Sequence, residues 1–149
     1  MRHIAIAVVV AGVGLAWGTG LSAQVMSGAK ANCDGTGACK VDVSVSDCKI
    51  TPNPSSLAVT GKNINIFWEL DAASASSYRF PDDGVKLKTP SAEFDQPEAQ
   101  ANGKKFKLHD KNSLPGQNSY PYTIKVQKQT LFIFWSDCPP LDPTIINQG

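Results

Sequence analysis

Apolar and polar residues alternate in short runs along most of this chain. Val41, Val43 and Val45 stand between Asp42, Ser44 and Ser46, the two-residue period of a half-buried strand. Cys48 and Ile50 continue that pattern. Leu57 and Val59 begin another short strand, and Gly61-Lys62 turns the chain into Asn63–Leu70. There Ile64, Ile66, Trp68 and Leu70 share one face, and Asn63, Asn65, Phe67 and Glu69 share the other. Trp68 reads as a core tryptophan packed between sheets, because its bulk is costly to leave in water. Tyr78 with Phe80, Val85 with Leu87, Phe106 with Leu108, and Tyr120, Tyr122, Ile124 and Val126 repeat the alternation.

Turn chemistry separates these runs. Pro52 and Pro54 forbid a central strand and favour a turn or a bulged edge. Pro81-Asp82-Asp83-Gly84 and Leu114–Asn118 are turns. Asp71–Ser77 is an Ala/Ser run without an apolar face and reads as a loop. Thr89–Gly103 reads as looser chain, with Pro90 and Pro97 limiting any helix. No segment holds a helical period over three turns, and the pattern predicts an all-β sandwich or barrel. Near the end, Leu131–Trp135 is apolar on both faces. It reads first as covered core; the alternative is a contact patch in which Phe132 and Phe134 stand beside Trp135.

The first segment lies outside this pattern. A short basic start at residues 1–3, an apolar run from Ile4 to Leu15 and small residues up to Ala23 form the layout of a secretory signal peptide over residues 1–23. The apolar run is short for a membrane span. No cysteine follows it closely, which argues against a lipoprotein-type anchor. Residues 24–40, small, polar and glycine-bearing, read as a flexible lead-in carrying its own disulfide. Residues 41–149 are expected to form one β-sandwich domain in a periplasmic or secreted protein.

The chain has 14 basic and 13 acidic residues, and removal of residues 1–23 takes away Arg2 alone. Such a balance gives no global pull towards nucleic acid or an anionic membrane. Cys33, Cys39, Cys48 and Cys138 all follow the apolar start, and an even count in an exported chain reads as disulfides. Three connectivities are open. Cys33–Cys39 with Cys48–Cys138 is favoured: a small Gly/Asp-rich loop, and a bridge from the first part of the domain to the last. The spacings lack the paired C-x-x-C knuckles of a zinc site.

Two stretches carry a family resemblance. Ile50-Thr-Pro-Asn-Pro-Ser-Ser-Leu57-Ala-Val59-Thr-Gly61-Lys-Asn-Ile64-Asn-Ile66-Phe-Trp68 resembles the opening of cupredoxin-like domains. There a strand, a Pro-containing bend and a second strand lead through Gly into a strand with an alternating apolar face. Tyr120-Pro-Tyr122-Thr-Ile124-Lys-Val126 looks like the late strand of that family. The resemblance implies a Greek-key sandwich and covers about a quarter of the chain after the signal segment; patterns of this kind occur in many β-sandwiches. It also shows a departure. A blue copper site needs two imidazoles, a thiolate and a weak axial ligand. Tyr78, Arg79 and Phe80 stand where the first histidine is expected, and Ile124 and Val126 occupy the late strand. His109 is the single histidine after residue 23, and Met26 the single methionine. No metal and no other cofactor is expected. The fold rival is an immunoglobulin-like sandwich pinned by Cys48, Trp68 and Cys138. It is disfavoured by the long gap from Cys48 to Trp68 and by Ser136 where a tyrosine is expected.

The sequence offers no catalytic set. There is no G-x-S-x-G elbow, and His109 with Asp110 points to opposite faces of a strand, so His109 reads as solvated. Among the acids, Glu69 alone lies within a strong strand pattern, facing away from Trp68. The lysines Lys86, Lys88, Lys104, Lys105, Lys107 and Lys111 read as edge protection, with a polyanion patch as the alternative. The expected function is non-enzymatic: a binding or interaction module for an unknown protein or small ligand of the cell envelope. No nucleic acid and no membrane span after signal removal are expected. Phe132, Phe134 and Trp135 are the candidate contact residues. The alternatives are a cupredoxin-type metal or electron-transfer protein with unusual ligands, and a small hydrolase using His109 and Glu69.

Overall fold

The structure, a computed structural model, describes residues 30–33, 38–131 and 133–149. The expected signal peptide, the first part of the lead-in and Phe132 lie outside the described residues. The strands, in chain order, are β1 (Lys30–Cys33), β2 (Ala38–Ser46), β3 (Lys49–Asn53), β4 (Ser56–Val59), β5 (Ile64–Leu70), β6 (Tyr78–Arg79) and β7 (Val85–Leu87). They continue with β8 (Phe94–Gln100), β9 (Lys105–Asp110), β10 (Gln117–Ile124), β11 (Gln127–Thr130), β12 (Phe134–Asp137) and β13 (Thr144–Gln148). One helical turn, α1 (Ala72–Ala75), and a short 3-10 turn at Ala101–Gly103 complete the described elements.

One sheet runs β3-β2-β5-β9-β8 and a second β1-β4-β13-β10-β7. A small third sheet runs β12-β11-β6. The pairing is mixed: β2 with β5, β1 with β4, and β4 with β13 are parallel, and the other ladders are antiparallel. The chain is all-β as its alternation predicts. Val41, Val43 and Val45 of β2, Ile64, Ile66, Trp68 and Leu70 of β5, and Phe106 and Leu108 of β9 turn inward from the first sheet. Leu57 and Val59 of β4, Tyr122 and Ile124 of β10, and Ile145 of β13 meet them from the second, in one continuous core. Each such side chain contributes about 1.5–3 kcal/mol through burial. Trp68, wholly buried, pins the two layers: its ring lies 5.4 Å from that of Tyr122, and its Nε1 donates to the Tyr122 hydroxyl at 3.3 Å.

Both disulfides have the favoured pairing, Cys33–Cys39 and Cys48–Cys138. The first joins β1 to β2, and the second joins the β2–β3 turn to the chain just after β12. Pro52 lies on β3, an edge strand, where the missing N–H leaves no ladder bond unmade.

Four segments depart from the sequence expectations. Residues 30–33 and 38–40, placed in a flexible lead-in, are strand, because β1 finds β4 and β2 begins its ladder to β5 at Ala38. Asp71–Ser77 contains a helical turn rather than only loop: Asp71 caps it by accepting from Ser74 N at 2.7 Å, and Ser74 Oγ accepts from Val45 N at 2.7 Å. Thr89–Gly103 contains β8, an edge strand with a register shift between Asp95 and Glu98 that accommodates Pro97. The tail, for which the sequence pattern names no element, forms β13, central in its sheet. Finally, the described residues of Leu131–Trp135, Leu131 and 133–135, are not a covered core strand. Leu131 and Ile133 lie in the turn of the β11–β12 hairpin, and Phe134 and Trp135 start β12.

Candidate functional site

The hairpin is built on a three-strand ladder. Gln127 of β11 pairs with Arg79 of β6 on one side and Asp137 of β12 on the other; Gln129 pairs with Trp135, and Thr130 with Phe134. Strand alternation therefore gives one face Arg79, Gln127, Trp135 and Asp137, and the other Tyr78, Lys128 and Phe134. Gln127 links the three strands through its side chain, accepting from Arg79 Nε at 3.0 Å and donating to Asp137 Oδ1 at 2.9 Å. At the base, Cys138 N donates to Val126 O, beside the Cys48–Cys138 bridge. The hairpin thus projects from a covalently fixed root.

Its end is apolar and in water. Leu131 is 79% exposed, Ile133 74% and Phe134 60%; elsewhere among the described residues the one other large exposed hydrophobic is Leu114. Trp135 is half-buried because cations cover its ring. The Arg79 guanidinium lies 4.2 Å from its centroid and the Lys104 ammonium 5.7 Å, within the range in which a ring face attracts a cation. Lys104 is brought there by the backbone. Phe80 N donates to Gly103 O at 2.7 Å, and Lys104 Nζ donates to Tyr78 O at 2.8 Å. Gly103, at φ +78°, permits this approach, since a Cβ there would stand 2.6 Å from Phe80 O. Burial, and after it the neighbouring Arg79 charge, hold the Lys104 pKa below the usual lysine value. Among the described residues, no carboxylate forms a salt bridge with Arg79, Lys104 or Lys128. A polar cleft of about 600 Å³ beside Arg79 and Gln127 is lined also by Asn102, Gly103 and Asp82.

The other sequence candidates do not assemble. His109 is not solvated: its Nδ1 lies 2.7 Å from Asp95 Oδ1, and its side chain is largely covered. Asp110 points the other way, into the interior, as alternation requires. Glu69 pairs with Lys40 on the outer face of β5. It stands four ladder positions from His109, about 13 Å along the strands, too far for the two to share a proton transfer. All four cysteines are disulfide-bonded. Among the described residues, no three of His, Cys, Asp and Glu gather as metal ligands. The lysines divide: Lys88 pairs with Asp142 beside the second sheet, Lys111 with Asp95 beside the first, and Lys107 donates to Gln96.

Two further features stand apart. An apolar cleft of about 360 Å³ opens at the sandwich edge between β7 and β8, lined by Val85, Leu87, Pro90, Phe94, Pro97 and Leu108 among others. Near the start of β10, Asp110, Asn112 and Asn147 form a buried polar cluster. Asp110 Oδ1 accepts from Asn112 N and Asn147 Nδ2, both at 2.9 Å. Its Oδ2, with Asn112 Oδ1 and Asn147 Oδ1, has no hydrogen-bond partner among the described residues. Burial pushes the Asp110 pKa up to about 6, against the lowering effect of the Asn147 and Asn112 donors. Protonation would turn Oδ2 into a donor among acceptors.

The sequence pattern marked Phe134 and Trp135, and Lys104 only as one of six lysines of the alternative polyanion patch; it missed Leu131, Ile133 and Arg79 as site residues. The first pair was absorbed into an expected core strand, and Arg79 into the alternation of Tyr78 and Phe80. No family model matches the sequence. No curated protein matches it.

Proposed function

We propose that the protein is an exported, non-enzymatic β-sandwich of cupredoxin-like topology whose partner docks on the β11–β12 hairpin. The carrying observation is the exposure of Leu131, Ile133 and Phe134 together at one turn, since contiguous apolar surface held in water marks a contact site. The disulfides and the signal-like residues 1–23 support export. The separation of His109 from Glu69 and the covalent use of Cys138 support a binding role over hydrolysis or blue copper chemistry. The cupredoxin-like reading draws on the chain's passage from β3 in one sheet, through Pro54, to β4 in the other, and then through Gly61 into β5.

The test is retention of envelope components by immobilised protein. Wild type is expected to retain at least one component that Ile133→Ser/Phe134→Ser loses while keeping its fold. Identical retention by both forms would remove the hairpin from the contact.

A further inference from the structure

The hairpin orders its side chains by polarity along its length. Leu131, Ile133 and Phe134 make its exposed end. Trp135 follows, with Arg79 and Lys104 over its ring. Lys128 lies on the opposite face, paired with Ser136, and Gln127 and Asp137 close the base. Apolar end, indole ring, cationic collar, polar base: this is the order of environments met on leaving a bilayer, from acyl chains through the interface to headgroups and water. The two residues from Ile133 to Trp135 span about 7 Å of extended chain, within the roughly 5–10 Å that interfacial elements reach into the acyl boundary.

The charge agrees. Arg79, Lys104 and Lys128 stand on or beside the hairpin, with Asp137 on β12 and Asp82 in the adjoining cleft, in a chain whose total charge is only +1. Arg79 and Lys104 sit beside each other, and neither forms a salt bridge with a carboxylate among the described residues, an arrangement that an external anion relieves. Leu131 has φ +47°, a conformation cheap for glycine or asparagine and strained for leucine, and is the most exposed of the large hydrophobics among the described residues.

We propose that the β11–β12 hairpin docks on the surface of an anionic lipid bilayer, its apolar end entering the interface and Arg79, Lys104 and Lys128 meeting headgroup phosphates. This rests on the hairpin being the contact surface, and it names the occupant.

Purified protein is sedimented with mixed phosphatidylglycerol–phosphatidylcholine vesicles and with pure phosphatidylcholine vesicles. Partition onto the anionic vesicles is expected to exceed that onto the neutral ones by about tenfold or more. It is expected to fall by about tenfold when NaCl is raised to about 1 M, where the Debye length is about 3 Å. Ile133→Ser/Phe134→Ser, with wild-type circular dichroism and melting temperature, is expected to lose binding by at least about tenfold. Equal binding by wild type and variant, or no vesicle binding by wild type, overturns the membrane proposal. If wild type then still retains a protease-sensitive envelope component that the variant loses, the hairpin reading stands with a protein as its occupant. If that retention is also unchanged, both readings fall.

Discussion

Two buried residues set opposite conditions on the core. Trp68 is apolar bulk with one donor, and Tyr122 supplies the acceptor from the facing sheet. Trp68→Ala is expected to destabilise by about 3–5 kcal/mol in denaturant unfolding, as for large-to-small changes in closed cores. Trp68→Phe should cost less, since it keeps an aromatic ring in place and leaves a smaller cavity beside a Tyr122 hydroxyl without its donor. Asp110 is the polar counterpart. Its folded pKa of about 6 lies above its unfolded value of 3.8, so the folded state binds the proton more tightly. Its favourable contribution is fully present below about pH 4 and is lost as pH rises through about 6. Asp110→Asn keeps the shape and remains neutral. The stability of this variant relative to wild type is expected to rise between pH 4 and pH 7, by on the order of 1–3 kcal/mol. A difference independent of pH would show that Asp110 is ionised throughout. Glu93 acts in the reverse sense. Ser113 Oγ, with the Ser113 and Leu114 amides, hydrogen-bonds its carboxylate and lowers its pKa, so its contribution is lost only as pH falls below the usual carboxylate range. Alternation alone places Trp68 and Tyr122 inward. It also turns Asp110 inward, but the buried amides that receive it come from Asn112 and from Asn147 on a distant strand, so no local pattern announces the cluster.

Among the elements, the strongest local periods were legible and the pieces that depend on distant partners were not. β2, β5, β9 and β10 alternate over enough residues to be read directly. β13 is short, and Thr144–Gln148 becomes a central strand only because β4 and β10 both pair with it. β8 is hidden by Pro97, which is tolerated at an edge. The hairpin misled for a physical reason: five apolar residues in a row match a buried strand as well as an exposed turn, and composition does not separate the two. The disulfide at the hairpin root is the element's main constraint. Cys48 and Cys138 are 90 residues apart, and removing that crosslink by Cys48→Ser/Cys138→Ser is expected to cost about 4–5 kcal/mol in the chain-entropy model. Urea unfolding of that variant, with Cys33–Cys39 intact, checks it. Gly103 offers a finer test. Gly103→Ala places a Cβ against Phe80 O, and displacement of Lys104 from Trp135 should accompany a stability loss of about 1–3 kcal/mol. An unchanged melting temperature would show that the backbone there relaxes without cost.

At the scale of the molecule, the exposed hairpin end is separated from the core. Two sheets meet through Trp68, Tyr122, Phe106 and their aliphatic neighbours, and the core closes without the hairpin end. A third, smaller sheet holds an apolar turn and two cations beside an indole ring, fixed at its base by a disulfide. The separation makes the hairpin end mutable without emptying core positions, and it locates what the sequence left open about Phe134 and Trp135: Phe134 faces water, and Trp135 faces Arg79 and Lys104. The free energy of unfolding of Ile133→Ser/Phe134→Ser tests this most directly. If the hairpin end lies outside the core, the variant unfolds within about 0.5 kcal/mol of wild type. A loss of about 3 kcal/mol or more, the size expected for emptied core positions, would contradict the account.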